Sequence, residues 1–227
     1  PADLRALVGG AAYYIGLGDL LRETDDLAAA GPLLHTGLDL IRSALTVDAD
    51  TITQGYLALA RLEQAQGDLD VAQRTLDAFV SLGRERNIAA YLIDRGRAEQ
   101  ARLSLLQGDF TRAVHWADQR TPDLLHDRSY LREEETLNLV RVRLAQYQVG
   151  QDPALLDPLG DLIDARLSAA EAAMRQHSSI GFRLLRARIH EAQGRPEAAM
   201  ADREQAYALG LSQGYRRIFR DEGMLFD

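Results

Sequence analysis

ARLEQAQG, residues 60–67, comes back three times along the chain: as ARLSLLQG at 101–108, VRLAQYQV at 142–149 and ARIHEAQG at 187–194. Each copy keeps a small residue, then Arg, then Leu or Ile, with Gln in the seventh place. The markers Arg61, Arg102, Arg143 and Arg188 stand 41, 41 and 45 residues apart, a period that suits helical hairpins stacked one on the next. A decayed earlier copy lies around Gly18, Asp19, Leu20 and Asp25, with Asp19 standing 42 residues before Arg61. Agreement extends past the octad, because Ala72, Ala113 and Ala199 each follow a turn glycine by five residues. Side chains that small let two helices of a hairpin approach closely.

Composition fits the same architecture. The chain has 227 residues, 46% of them hydrophobic, enough to bury a sizeable core; repetition favours one elongated domain over residues 1–227. Ala, Leu, Arg, Gln and Glu dominate and β-branched residues are sparse, so the expected class is all-α. The expected fold is a right-handed superhelix of about five stacked tetratricopeptide-like hairpins. All 26 positive side chains are Arg and no Lys occurs, which removes phosphate-loop, Schiff-base and lysine general-base chemistry. A net charge of −8 speaks against gripping a nucleic-acid backbone. There is no Cys, compatible with a reducing cytoplasm. No apolar run approaches the roughly 20 residues needed to cross a bilayer, so a soluble chain with no membrane contact is expected. The start at Pro1 without methionine or signal peptide suggests a piece of a longer protein.

Along the chain, Leu4, Leu7, Val8, Ala11, Ala12, Ile15 and Leu20 space a first helix over 3–24, and a second is predicted over 27–45. Gly31-Pro32 interrupts the second, leaving a kink or a late start at Pro32 equally open. Thr24, Asp25 and Asp26 supply a turn and N-cap for that second helix, Asp48, Ala49 and Asp50 open the next hairpin, and Asp68 and Asp109 are predicted N-caps, with helices to Gln66, over 69–86, over 87–107 and over 110–119. RTPDLLHDRS, residues 120–129, reads as a connecting loop. A helix is expected over 130–148, then Asp152 and Pro153 as cap and first turn, a threatened kink at Pro158, and a helix end near His177. Ser178 and Ser179 would cap the helix of the last octad, and Arg195-Pro196 would turn into a final helix to about Leu211, ahead of the tail GYRRIFRDEGMLFD.

Within the octad, Arg lies about 100° from each neighbour, between a packed small residue and a packed Leu or Ile. Arg61, Arg102, Arg143 and Arg188 therefore form a ladder with two readings. They bind an anionic or polar ligand through their planar forks, or each pairs with an acidic neighbour in the adjacent repeat and fixes the stacking. Tyr56 and Tyr147 join them as candidate ligand contacts; with Tyr13, Tyr14, Tyr91 and Tyr130 they are scattered near helix faces, where they either stack on a sugar or base or fill the core and the seams between repeats. Trp116 is expected in the core, and Glu133, Glu134 and Glu135 as a solvated first turn favoured by the helix dipole. His35, His115, His126, His177 and His190 show no metal-ligand spacing. No catalytic motif occurs, so neither catalysis nor a cofactor is expected.

Three stretches together, GYLALARLEQAQGDLDVA at 55–72, SYLREEETLNLVRVRLAQ at 129–146 and GYRRIFRDEG at 214–223, resemble the tetratricopeptide-like sensor region of large ATP-binding LuxR-type transcriptional regulators of the MalT kind. That resemblance implies a module between an NTPase and a helix-turn-helix domain of the same parent chain. It would receive a small-molecule inducer or a regulatory protein and relay that signal. The competing expectation is a constitutive scaffold that docks a peptide or helix in its groove.

Overall fold

The computed structural model describes residues 2–44, 47–127 and 129–223, and among these every regular element is helical. The helices are α1 (Ala2–Glu23), α2 (Leu27–Ser43), α3 (Ala49–Ala65), α4 (Leu69–Glu85), α5 (Ala90–Leu106), α6 (Phe110–His126), α7 (Glu133–Gly150), α8 (Leu156–Ala172), α9 (Gln176–Ala192), α10 (Pro196–Gln213) and the short α11 (Arg217–Arg220). Single 3₁₀ turns, Tyr130–Arg132 and Pro153–Leu155, lead into α7 and α8. Two compact units divide the chain, Pro1–Gln107 and Gly108–Asp227.

Local chemistry explains the helix ends. Asp26, Asp48 and Asp109 cap α2, α3 and α6, their carboxylates accepting from the amides of Ala29, Thr51 and Arg112 at 3.1, 2.7 and 3.1 Å. Asp68 holds the cap position of α4 without a side-chain bond, so only its charge near the positive helix end remains of the predicted role. Gly67, Gly108 and Gly194 turn the chain at φ +91°, +81° and +71°, a conformation that costs a side chain about 1–2 kcal/mol. The third octad ends VG instead of QG, and there α7 runs on through Gly150, so the left-handed turn falls on Gln151 at φ 52°.

In the first unit, α1 packs on α2, α2 on α3, α3 on α4, and α5 on both α3 and α4. The core joins Ile15, Leu34, Leu38, Ile41, Ile52 and Phe79, and a second cluster sets Leu57 and Ala60 of α3 against Ala72 and Leu76 of α4 and Leu103 of α5. Ala72, Ala113 and Ala199, the small residues marked by the repeat, are all fully buried. In the second unit α6 packs on α7, α7 and α8 on α9, and α9 on α10. Ile218 and Phe219 of α11 close that unit against Ile180, Leu184 and Ala206.

Several expectations are corrected. Helix α2 starts at Leu27 and runs through Pro32. The amide missing at Pro32 leaves the Ala28 carbonyl without its usual donor, but burial of Ala30, Leu34, Leu38 and Ile41 holds the helix together. Residues 120–126 are not a loop: α6 continues through Pro122 to His126. Leu124 is fully buried there and the Thr121 hydroxyl donates to the Ala117 carbonyl at 2.7 Å, so packing overrides the proline. Pro158 is the third residue of α8, where no intrahelical donor is required. Helix α8 ends at Ala172, and His177 already belongs to α9. Ser178 and Ser179 are inside α9, bonded to the Glu133 carboxylate and the Arg175 carbonyl, rather than capping it. Leu45, the tail residues 224–227 and the side chains of Leu4, Leu7 and Val8 lie outside what is described.

Candidate functional site

Every octad arginine has a partner outside its own helix and within its own unit. From α3, Arg61 sends Nε and Nη2 to one oxygen of Glu99 on α5, at 3.1 and 2.6 Å. One turn on, Arg102 Nη1 donates to the Gln64 amide oxygen of α3 at 2.9 Å and stands 3.6 Å from the other Glu99 oxygen. Glu99 is thus held between two octad arginines, and both it and Arg102 are buried. Buried Arg22 on α1 lies close enough for Arg61 to influence its ionisation; although burial opposes its charge, Asp19 and Glu23, bonded at 2.7 and 3.0 Å, raise its pKa above the usual guanidinium value.

In the second unit, Arg143 of α7 reaches Asp118 and Thr121 of α6, both at 2.8 Å. Arg188 of α9 donates to Glu222, beyond α11, at 3.3 Å, and its side chain keeps 32% of its exposure. Tyr56 is buried, its ring 5.8 Å from that of Phe79. The Tyr147 hydroxyl donates to the Ala192 carbonyl at 3.1 Å, tying α7 to α9. Tyr13 and Tyr130 are exposed, and Tyr91 packs half-buried on the core. Trp116 is half-buried rather than core, and its indole N–H has no hydrogen-bond partner among the described residues. No group of three His, Asp or Glu side chains among the described residues is placed to hold a metal.

The largest departure from expectation is at Glu133 and Glu135. Instead of a solvated first turn, both are buried. Glu135 accepts from Arg132 at 2.7 Å and from Arg120 of α6 at 3.0 Å, while Glu133 accepts from Arg175 at 2.6 Å and Ser178 at 2.7 Å. Arg166 of α8 donates to the carbonyls of Asp127 and Ser129, fixing the chain just before α7. Burial pushes the Glu135 pKa up despite both arginines, because desolvation disfavours the carboxylate. The seventh-place glutamines also acquire a role. Gln107 and Gln193 donate to Asp70 and Asp157, in the first turns of α4 and α8, at 3.0 and 3.3 Å. That recurrence was visible in the octad; the partners were not.

Glu63, the fourth octad residue, is buried with one carboxylate oxygen lacking a hydrogen-bond partner, and burial raises its pKa above the usual 4.5, the Thr75 bond opposing. A raised folded-state pKa adds stability in full below the unfolded value and loses it as pH rises through the folded one. Glu63→Gln, which cannot ionise, is therefore expected to exceed the wild type in stability at neutral pH. Urea midpoints for the two proteins should converge as pH falls below about 4.5; a constant gap across that range contradicts the assignment.

Comparison with known proteins gives a consistent picture. The family model described as the MalT-like TPR region matches residues 2–225. Among solved structures, BtubC (BKLC) from P. vanneervenii is 18% identical with a TM-score of 0.53, over 88% of this chain and 80% of that one. A kinesin light chain-type protein from Podosopora anserina with nearly identical TPR-like repeats is 18% identical with a TM-score of 0.49, over 93% and 96% of the two chains. At its identity the likeness to BtubC is one of fold alone. No curated protein matches in sequence.

Proposed function

Because the chain belongs to the family of MalT-like TPR regions, we propose that it is the ligand- or partner-sensing module of an ATP-dependent LuxR-type transcription activator. The module relays binding of a small-molecule inducer or a regulatory protein to NTPase and helix-turn-helix domains of the same parent chain. It acts in the cytoplasm, neither as a catalyst nor by touching DNA itself. The family match over residues 2–225 carries this reading. The polar contacts supply a means: Arg61 and Arg102 tie α3 to α5 within the first unit, and Arg143 ties α7 to α6 within the second, so a ligand that shifts one helix disturbs a bonded neighbour. In this reading Arg188 and Tyr147, both half-buried, contact the ligand, and Arg143 of the same unit transmits the shift to α6.

Two measurements test it. An inducer present at about 100 times its dissociation constant is expected to stabilise the module by about 2.7 kcal/mol, read as a higher Tm. Light scattering of the intact parent protein with ATP should then report self-association that increases with the inducer. A parent gene lacking a phosphate-loop motif or a LuxR-type helix-turn-helix overturns the reading. A peptide partner bound equally well with and without any metabolite transfers the module to the scaffold class.

A further inference from the structure

Most arginines of the second unit are matched by at least one carboxylate apiece. Arg186 bonds both Asp202 and Asp164, and Arg143 has Asp118. One place differs. Arg141 of α7 directs Nε and Nη2 at the first oxygen of Glu222, each at 2.6 Å, and Arg188 of α9 directs Nη1 at the second, at 3.3 Å. These two guanidiniums share a single carboxylate, a local excess of positive charge in a chain whose net charge is −8. Beside them stands an unmet donor. Asn138, 1% exposed, accepts from Arg141 Nη1 at 2.6 Å through its oxygen, yet its amide nitrogen has no hydrogen-bond partner among the described residues.

A buried unpaired N–H carries a desolvation cost, so its presence beside Arg141 calls for a further acceptor. The occupant of the clamp, its side chain 4% exposed, comes from the chain just past the last helix. Phe219 and Ile218 anchor α11 in the core of the unit, whereas Glu222 follows on a turn made by its own amide to the Phe219 carbonyl and the Gly223 amide to Arg220, at 3.1 and 2.9 Å. Opening that turn frees the clamp without removing Phe219 from its pocket.

We propose that Arg141, Arg188 and the Asn138 amide form a binding site for a small dianion, a dicarboxylate or a phosphate ester, and that Glu222 is its internal competitor. Planar guanidinium forks match both ligand types. Ligand entry displaces the Glu222 carboxylate and releases the turn over residues 220–223. This deepens the sensing reading by naming its ligand class, and it is testable on this chain alone, so failure of the parent-regulator assignment leaves it standing.

The probes are malonate and inorganic phosphate, titrated separately by calorimetry, with glucose as the neutral control. Glu222→Gln should bind one of the anions about tenfold tighter than the wild type, as expected when the open form is about a tenth of the population. Arg188→Ala, at a half-exposed position, should fold normally and lose the binding. Preference for malonate assigns the ligand to carboxylates, preference for phosphate to phosphate esters. In the wild type, the better anion should accelerate amide exchange at residues 220–223; this and the Arg188→Ala comparison decide the matter should Glu222→Gln not fold. Absence of binding by either anion, binding unchanged in Arg188→Ala, or exchange unaltered by the bound anion overturns the proposal.

Discussion

Phe79→Ala is expected to destabilise the first unit by about 3–5 kcal/mol, the range for truncating a fully buried aromatic ring. Phe79 is 0% exposed and lies over Gly96 of α5, where an added Cβ would stand 2.6 and 2.7 Å from two ring carbons. That contact makes the converse change costly too: Gly96→Ala forces the ring aside, an overpacking cost of about 1–3 kcal/mol. The two effects must couple. In the Phe79→Ala background, Gly96→Ala should cost far less than in the wild type, a non-additivity that a double-mutant cycle of urea unfolding measures directly. Additive losses would mean that the ring and the glycine do not share the seam between α4 and α5.

Glu135→Ala is the second large effect, about 3 kcal/mol. Removing one member of a buried ion pair leaves its partners desolvated, with typical costs of about 3–5 kcal/mol. The lower end applies because Arg120 and Arg132 retain 18% and 20% side-chain exposure and can turn partly to water. Glu135→Gln keeps an acceptor and should lose less. A loss under about 0.5 kcal/mol for the alanine variant, the scale of an ordinary surface change, would return Glu135 to the solvated role its sequence suggests.

What could be read from the sequence was whatever repeats or acts locally. The octad spacing, the buried alanines at 72, 113 and 199, and the caps at Asp26 and Asp109 all hold. Misreadings arose where tertiary packing overruled a local rule. Residues 120–126 looked like a loop because their periodicity breaks, yet they continue α6 and Leu124 there is fully buried. Glu133 and Glu135 looked solvated because three acids in a first turn usually are; their partners Arg175 and Arg120 lie 42 and 15 residues away. For the ladder, the octad told where the arginines stand but not what they face. Glu99, Asp118 and Glu222 occupy no common place in the repeat.

The glycine beneath Phe79 limits how this chain can have diversified. Gly55 and Gly96 stand six residues before Arg61 and Arg102, whereas the same place before Arg143 and Arg188 holds Leu137 and Phe182. Helices that read as copies are therefore cut for different locks. Transplanting residues 133–150 into the position of α5 would drive a leucine into the ring of Phe79. Recombination between repeats, an easy route for lengthening or shuffling uniform arrays, is closed here unless the facing residue changes in the same step.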